Sequence, residues 1–226
     1  MSEATDLGAL YRETRARLAE LICGLDAADL GTRVPACPEW TVRDVLAHLV
    51  SIPEDAAAGR LTGIPTEEFT AQQVARFAGL PVPEILARWA ASAPDFEQAV
   101  AAREVWPAVI DLATHEQDVR GAVGQPGARD CAAIRQGIER LLTSIESPVR
   151  LRITTEDETY LAGPEVGAES TDGPLTLSTT RFEAFRWRMG RRSLAQLAAM
   201  TWSAEPPEGL LRQLAIFGPA ATDVRE

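Results

Sequence analysis

The sequence predicts an α+β protein, with a helical bundle over residues 1–146 followed by a small α+β domain over 147–226. Three observations carry this reading. Apolar residues recur every three to four positions through most of the first part, the period of a half-buried helix. Beyond it, "VRLRITTEDETYLAG" and "PLTLSTT" alternate apolar and polar residues between Gly, Pro and Asp turns, the pattern of strands. Helical periodicity then returns in "RFEAFRWRMG", "SLAQLAAM" and "PPEGLLRQLAIF".

The elements of the first part follow in order. Residues 5–24 place Leu7, Leu10, Tyr11, Leu18, Leu21 and Ile22 mainly on one side, which predicts a first helix. The segment "GLDAADLGTRVPACPEW" reads as a turn. A second helix starts at Thr41, which can cap it, and Asp44 completes a T-x-x-D capping box. Val42, Val45, Leu46, Leu49 and Val50 form its apolar stripe. "GLPVPEILARWAASAPDFEQAVAAR" reads as a third long helix. Pro81 or Pro83 suits its first turn, and Pro94 predicts a kink. "WPAVIDLATHEQDVRGAVG" is a fourth, stopped by Gly124 and Pro126. "CAAIRQGIERLLTSIES" is a fifth. The four principal helices suit a bundle with one long connection.

Composition excludes several functions. A net charge of −11 argues against a nucleic-acid or anionic-membrane surface, because phosphate binding needs a basic patch. No apolar run is long enough to span a bilayer, and no basic n-region precedes an apolar stretch, so the expected compartment is the cytoplasm. Monomer and homodimer both stay open. Three widely spaced cysteines, without a CxxC, read as reduced thiols in such a compartment. Cys23 and Cys131 sit in apolar-patterned helices and are expected in the core. Cys37 precedes Pro38 in a loop. Walker, GxGxxG and GxSxG motifs are absent.

The chain holds two histidines, both on amphipathic helices. His48 borders the apolar stripe of the second helix, with Val45 and Ile52 one turn away on either side. On the fourth helix Asp111 and His115 are spaced i, i+4, so their side chains stack and can bind one ion from one side. Asp118 follows His115 at i+3. Helix bundles build metal sites from such inward side chains, and a His–His–carboxylate set leaves coordination positions open for catalysis by Zn²⁺ or a similar ion. The plainer alternative is a pair of hydrogen-bonded boundary histidines beside a solvated acidic face. Spacing alone does not decide between them.

The wording of two segments adds to this. "VPACPEWTVRDVLAHLV", with Pro, Trp and then V-x-D-V-x-x-H-L, and "DLATHEQDVRGAVG" resemble the paired signatures of the mycothiol-dependent maleylpyruvate isomerase family, within the DinB-like superfamily. "FEAFRWRMGRRSLAQLAAMTW" and "LAIFGPA" resemble that family's second domain, so the likeness spans nearly the whole chain. It implies a DinB-like four-helix bundle with a smaller α+β domain. It also implies a divalent metal, commonly zinc, at His48, Asp111 and His115. The family isomerase carries Glu where this chain has Asp111; the shorter side chain leaves room for a closer helix or a bridging water. Asp118 or Glu116 then stands as a substitute ligand or an outer partner.

The chemistry implied is thiol activation. A metal with open positions lowers the pKa of a bound thiol, and the thiolate is the nucleophile. In the family that thiol is mycothiol, the low-molecular-weight thiol of actinobacteria, as cofactor or cosubstrate. Reversible addition to a cis alkene gives a cis–trans isomerase; retained addition gives an S-transferase. Arg191 and Arg192 in "MGRRS" are the candidate catalytic cations for an acidic electrophile, against a solvated turn as the alternative. Arg120 reads as a surface or ion-pairing residue, and Trp40 as a plug at the helix start. A metal-dependent hydrolase, or a non-catalytic ligand-binding module, remains the competing expectation. The cysteines are not expected to act as nucleophiles.

Overall fold

The structure of the chain is a computed structural model describing residues 5–61, 63, 65–164 and 173–226. It divides into two compact units, Met1–Gly127 with Glu226, and Ala128–Arg225. The fold is α+β, as the sequence predicts.

The first unit is built on four long helices. Helix α1 spans Leu7–Cys23 and is capped by the Asp6 carboxylate, which accepts from the Ala9 amide. A single turn, α2 (Ala27–Leu30), leads into a short antiparallel hairpin of β1 (Arg33–Val34) and β2 (Cys37–Thr41). Helix α3 (Val42–Ala57) follows directly. Thr41 accepts from the Asp44 amide while the Asp44 carboxylate accepts from the Thr41 amide, the capping box expected of T-x-x-D. Helix α4 (Glu67–Ala75) lies in the connection to α5 (Val82–Ala102), and α6 (Trp106–Ala122) completes the unit.

Helices α1, α5, α3 and α6 pack in a ring, each against the next, around Leu18, Val45, Leu46, Ile85, Trp89, Val109 and Leu112. Gly8 permits the close approach of α1 to α5: a Cβ there would lie 2.6 Å from the Glu97 carbonyl oxygen. Pro94 falls inside α5 and Pro53 inside α3, and both helices continue through their prolines. The hairpin and α4 replace what the sequence reads as turn and connection.

The second unit opens with α7 (Ala132–Thr143). A sheet of strand order β4-β3-β5-β6 follows, formed by β3 (Leu151–Thr154), β4 (Thr159–Ala162), β5 (Leu175–Ser178) and β6 (Thr201–Trp202). Strands β3 and β5 are parallel, and the other pairs antiparallel. The turn residues 165–172, between β4 and β5, lie outside the described residues. Helices α8 (Arg181–Arg188), α9 (Leu194–Ala198) and α10 (Glu208–Leu214) match the three C-terminal helical segments of the sequence.

The change of texture at residue 147 places the domain boundary there, but the compact units divide at 127/128. The reason is α7. Helical in texture, it packs on α8 and β4. The two cysteines assigned to the core also need correction. Cys23 is exposed, because it ends α1 one step past the stripe running through Leu18 and Ile22. Cys131 is half-buried because it is the N-cap of α7, ahead of the helical period. Among the described residues no helix is long and apolar enough to cross a membrane.

The capping box generates a direct expectation. Thr41→Ala removes the side-chain acceptor at the start of α3, and urea denaturation should register a loss of about 1 kcal/mol. An unchanged midpoint would mean that solvent caps the helix equally well.

Candidate metal centre

The centre forms where β2, α3, α4 and α6 meet. The capping box starts α3 at a fixed point, so His48 falls two turns inside it, only 5% exposed. Helix α6 is unusual. Thr114, His115, Glu116, Gln117 and Asp118 are all buried in succession, although a helix with one solvated face would expose at least part of such a run. Glu116 and Asp118 therefore do not belong to a solvated acidic face.

His48 and His115 stand edge to face, with ring centroids 5.4 Å apart. Between them sits the Asp111 carboxylate, one oxygen 3.6 Å from His48 Nε2 and the other 3.6 Å from His115 Nε2. The three donor atoms lie within 4.8 Å of one another. Donors about 2.1 Å from a shared tetrahedral ion sit about 3.4 Å apart, so this set fits a small divalent cation with little rearrangement. Asp111, though shorter than Glu, reaches both rings. Its side chain is 41% exposed, so the cluster opens toward solvent on that side.

Each ring turns its Nδ1 to an acceptor. His48 Nδ1 is 2.9 Å from Gln73 Oε1. His115 Nδ1 is 3.0 Å from Asp118 Oδ2, close enough for a charge-assisted contact although its alignment falls short of a good hydrogen bond. Asp118 thus stands behind His115 as its outer partner. Glu116 takes no part: it is buried against Arg17 (2.8 Å) and Arg120 (3.0 Å), tying α6 to α1. Arg120 is accordingly an ion-pairing residue.

Electrostatics favour a cation here. Burial alone would lower the basicity of His115. Asp111, Asp118 and the Cys37 thiol outweigh it and raise the pKa to about 10. The carboxylates present a field that some positive charge must meet, and an ion on Nε2 would take the place of that proton.

The hairpin supplies the remaining wall. The Trp40 ring lies 5.1 Å from the His48 ring and 6.1 Å from that of His115, so it plugs the helix start by covering both imidazoles. Cys37 Sγ is 3.9 Å from Asp118 Oδ2, and Cys37, His115 and Asp118 form a second group with donor atoms within 4.8 Å. Gln73, Asp55 and this placement of Cys37 are what sequence reasoning missed. Gln73 lies on a short, weakly patterned helix with no metal-ligand residue to mark it. Cys37 had a usable signal in its position four residues before the Thr41 cap.

Arg191 and Arg192 belong to the second unit. Arg192 is buried and makes a bidentate pair with Glu183 at 2.7 and 2.8 Å. Arg191 donates to the Met189 carbonyl at 2.7 Å.

Comparison with known proteins bears on the first unit and on the fold. Residues 11–111 match the family model described as the mycothiol maleylpyruvate isomerase N-terminal domain. The match covers the greater part of the first unit and a little under half of the chain. The match contains His48 and Gln73 and ends on Asp111, with His115 one helical turn beyond. In fold the chain is similar to a crystal structure of a mutant of mycothiol-dependent maleylpyruvate isomerase. The TM-score is 0.53 and the sequence identity 17%, over 88% of this chain and 94% of that one. At that identity the likeness is one of fold. No curated protein matches the chain in sequence.

The geometry predicts about one Zn²⁺ per chain after dialysis, read by elemental analysis. His48→Ala and His115→Ala should each lose it, whereas Glu116→Gln should keep it because Glu116 faces Arg17. Full occupancy in either histidine variant would remove that residue from the ligand set.

Proposed function

We propose that this chain is a divalent-metal-dependent enzyme that activates a low-molecular-weight thiol, in the first instance mycothiol, for addition to an electrophilic small molecule. The outcome is cis–trans isomerisation or thiol transfer. The observation that carries the reading is the convergence of His48, Asp111 and His115 at the open edge of the bundle. The family match of the first unit and the name of the fold neighbour support it.

A bound divalent ion supplies Lewis acidity, lowering the pKa of a thiol at its open position so that the thiolate is present at neutral pH. The protein's residues set the terms. Two neutral imidazoles and one carboxylate offset a single unit of the ion's charge, which leaves a net cationic locus suited to an anionic sulfur. Trp40 covers the imidazoles from the hairpin side and keeps water from that flank. Asp111, at the exposed edge, marks the side from which thiol and electrophile approach. An acidic electrophile calls for an arginine fork, which binds carboxylate bidentately and stays charged. Arg191 and Arg192 are the candidates. The soluble-enzyme setting this implies is cytoplasmic.

Turnover of a carboxylated cis-alkene should require both metal and mycothiol, and should stop on chelation. Turnover with metal but without thiol would replace this reading with hydrolysis. Arg191→Ala or Arg192→Ala should lower kcat/KM about ten- to a hundredfold, the worth of one charge-assisted contact, with metal content unchanged. Melting must be followed in parallel, since Arg192→Ala also strips Glu183 of its partner. Wild-type kinetics in both variants would free the arginines of any anchoring role.

A further inference from the structure

Behind His48 lies a buried polar chain that the proposed chemistry does not use. Gln73, on α4, is 1% exposed. Its Oε1 faces His48 Nδ1 at 2.9 Å, and its Nε2 donates to Asp55 Oδ2 at 2.7 Å. Asp55, near the C-terminus of α3, is fully buried. Its other contacts are also donors: Arg76 meets both carboxylate oxygens at 2.6 and 2.8 Å, and Arg60 meets Oδ1 at 2.7 Å. Burial would push the Asp55 carboxyl up, but the contacts from Arg76, Gln73 and Arg60 hold it below the usual range, so it is ionised.

The order of the chain follows from what each group can do. An ionised carboxylate only accepts. The Gln73 amide must therefore turn its NH₂ to Asp55, because the flipped amide would press a carbonyl against an anion. Its oxygen then faces His48, and an oxygen accepts. His48 Nδ1 must carry the hydrogen, and Nε2 is left with its lone pair. The competing contact, Asp111 at 3.6 Å from Nε2, is too long to draw the proton across.

We propose that Asp55 and Gln73 are positioning residues for metal binding: the buried carboxylate fixes the amide, and the amide fixes His48 as the Nδ1–H tautomer with Nε2 directed at Asp111. The helix in the connection between α3 and α5 thus has a role beyond joining them. It delivers an oriented amide to the back of the ring. The inference rests on the proposed ligand set for its purpose, but the tautomer itself can be read without metal.

Having two histidines makes the measurement tractable. Long-range ¹H–¹⁵N spectra of the metal-free protein, at a pH where His48 is neutral, resolve both rings, and His115→Ala assigns them. Wild type should show His48 with Nδ1 protonated. Gln73→Leu should mix or reverse the tautomers and weaken Zn²⁺ binding, measured by chelator competition, about ten- to a hundredfold. Asp55→Asn keeps the shape of the side chain but removes the anion that sets the order of the Gln73 amide. It should mix the His48 tautomers, a spectroscopic change that a merely structural role would not produce. Gln73→Met replaces the Leu variant should that one misfold. An Nε2–H tautomer in wild type, or an unchanged tautomer in the Leu or Met variant, overturns the proposal. A wild type with the expected tautomer but no Zn²⁺ binding would sink the metal reading and leave the Asp55–Gln73 relay in place.

Discussion

Helix α6 is buried on nearly every side while carrying a run of polar and charged residues, and the centre of the first unit is organised by that constraint. A buried charge without a partner costs several kcal/mol, so each must find one. Glu116 finds Arg17 and Arg120, which lashes α6 to α1. Asp118 lies beside His115 and within reach of Cys37. His115 turns its far nitrogen to Asp111, a helical turn earlier. Once those partners are assigned, the half-exposed Asp111 carboxylate faces two imidazoles, and the polar interior of the helix ends at a solvent-facing edge.

The same logic governs α3. His48 and Asp55 are two turns apart on it and both buried, and neither is satisfied by its own helix. The connection between α3 and α5 returns Gln73 and Arg76 to them one turn apart on α4 and at its C-cap. A segment that looks like a linker in sequence is thereby held by four charge-assisted contacts at Asp55. Its register against α3 is set by hydrogen-bonding chemistry more than by apolar packing.

That difference explains what could be read from the residues alone. Helices with a clear apolar stripe and a side-chain cap were legible, and α3, with its stripe and the Thr41–Asp44 box, most of all. The Asp111–His115 pair was legible because i, i+4 spacing is a local property, whereas His48 was joined to it by the wording of the two segments and their family resemblance. Gln73 was not, since an amide carries no signature and its partner is 25 residues away. The hairpin that brings Trp40 and Cys37 over the cluster is too short to alternate visibly. The division of the compact units at 127/128 was not legible for a similar reason: periodicity reports that α7 is a helix, but which neighbours it packs against is a tertiary fact.

The two imidazoles of the cluster are not equivalent, and the asymmetry bears on how the centre would hold an ion. His115 has a carboxylate behind it and His48 an amide. A carboxylate partner makes the ring a stronger donor and adds negative charge to the outer sphere, whereas an amide orients the ring with little change in its basicity. The stronger donor also shares its helix with Asp111, so those two groups are fixed relative to one another by a single turn of backbone. His48 arrives from another helix, and its aim depends on α3 starting at the right residue and on Gln73 holding the ring. In such an arrangement α6 supplies two of the three donors and α4 sets the aim of the third. Damage at Gln73 or Asp55 would then loosen and mis-shape the centre before it emptied it, whereas loss of His48 or His115 would remove a donor outright.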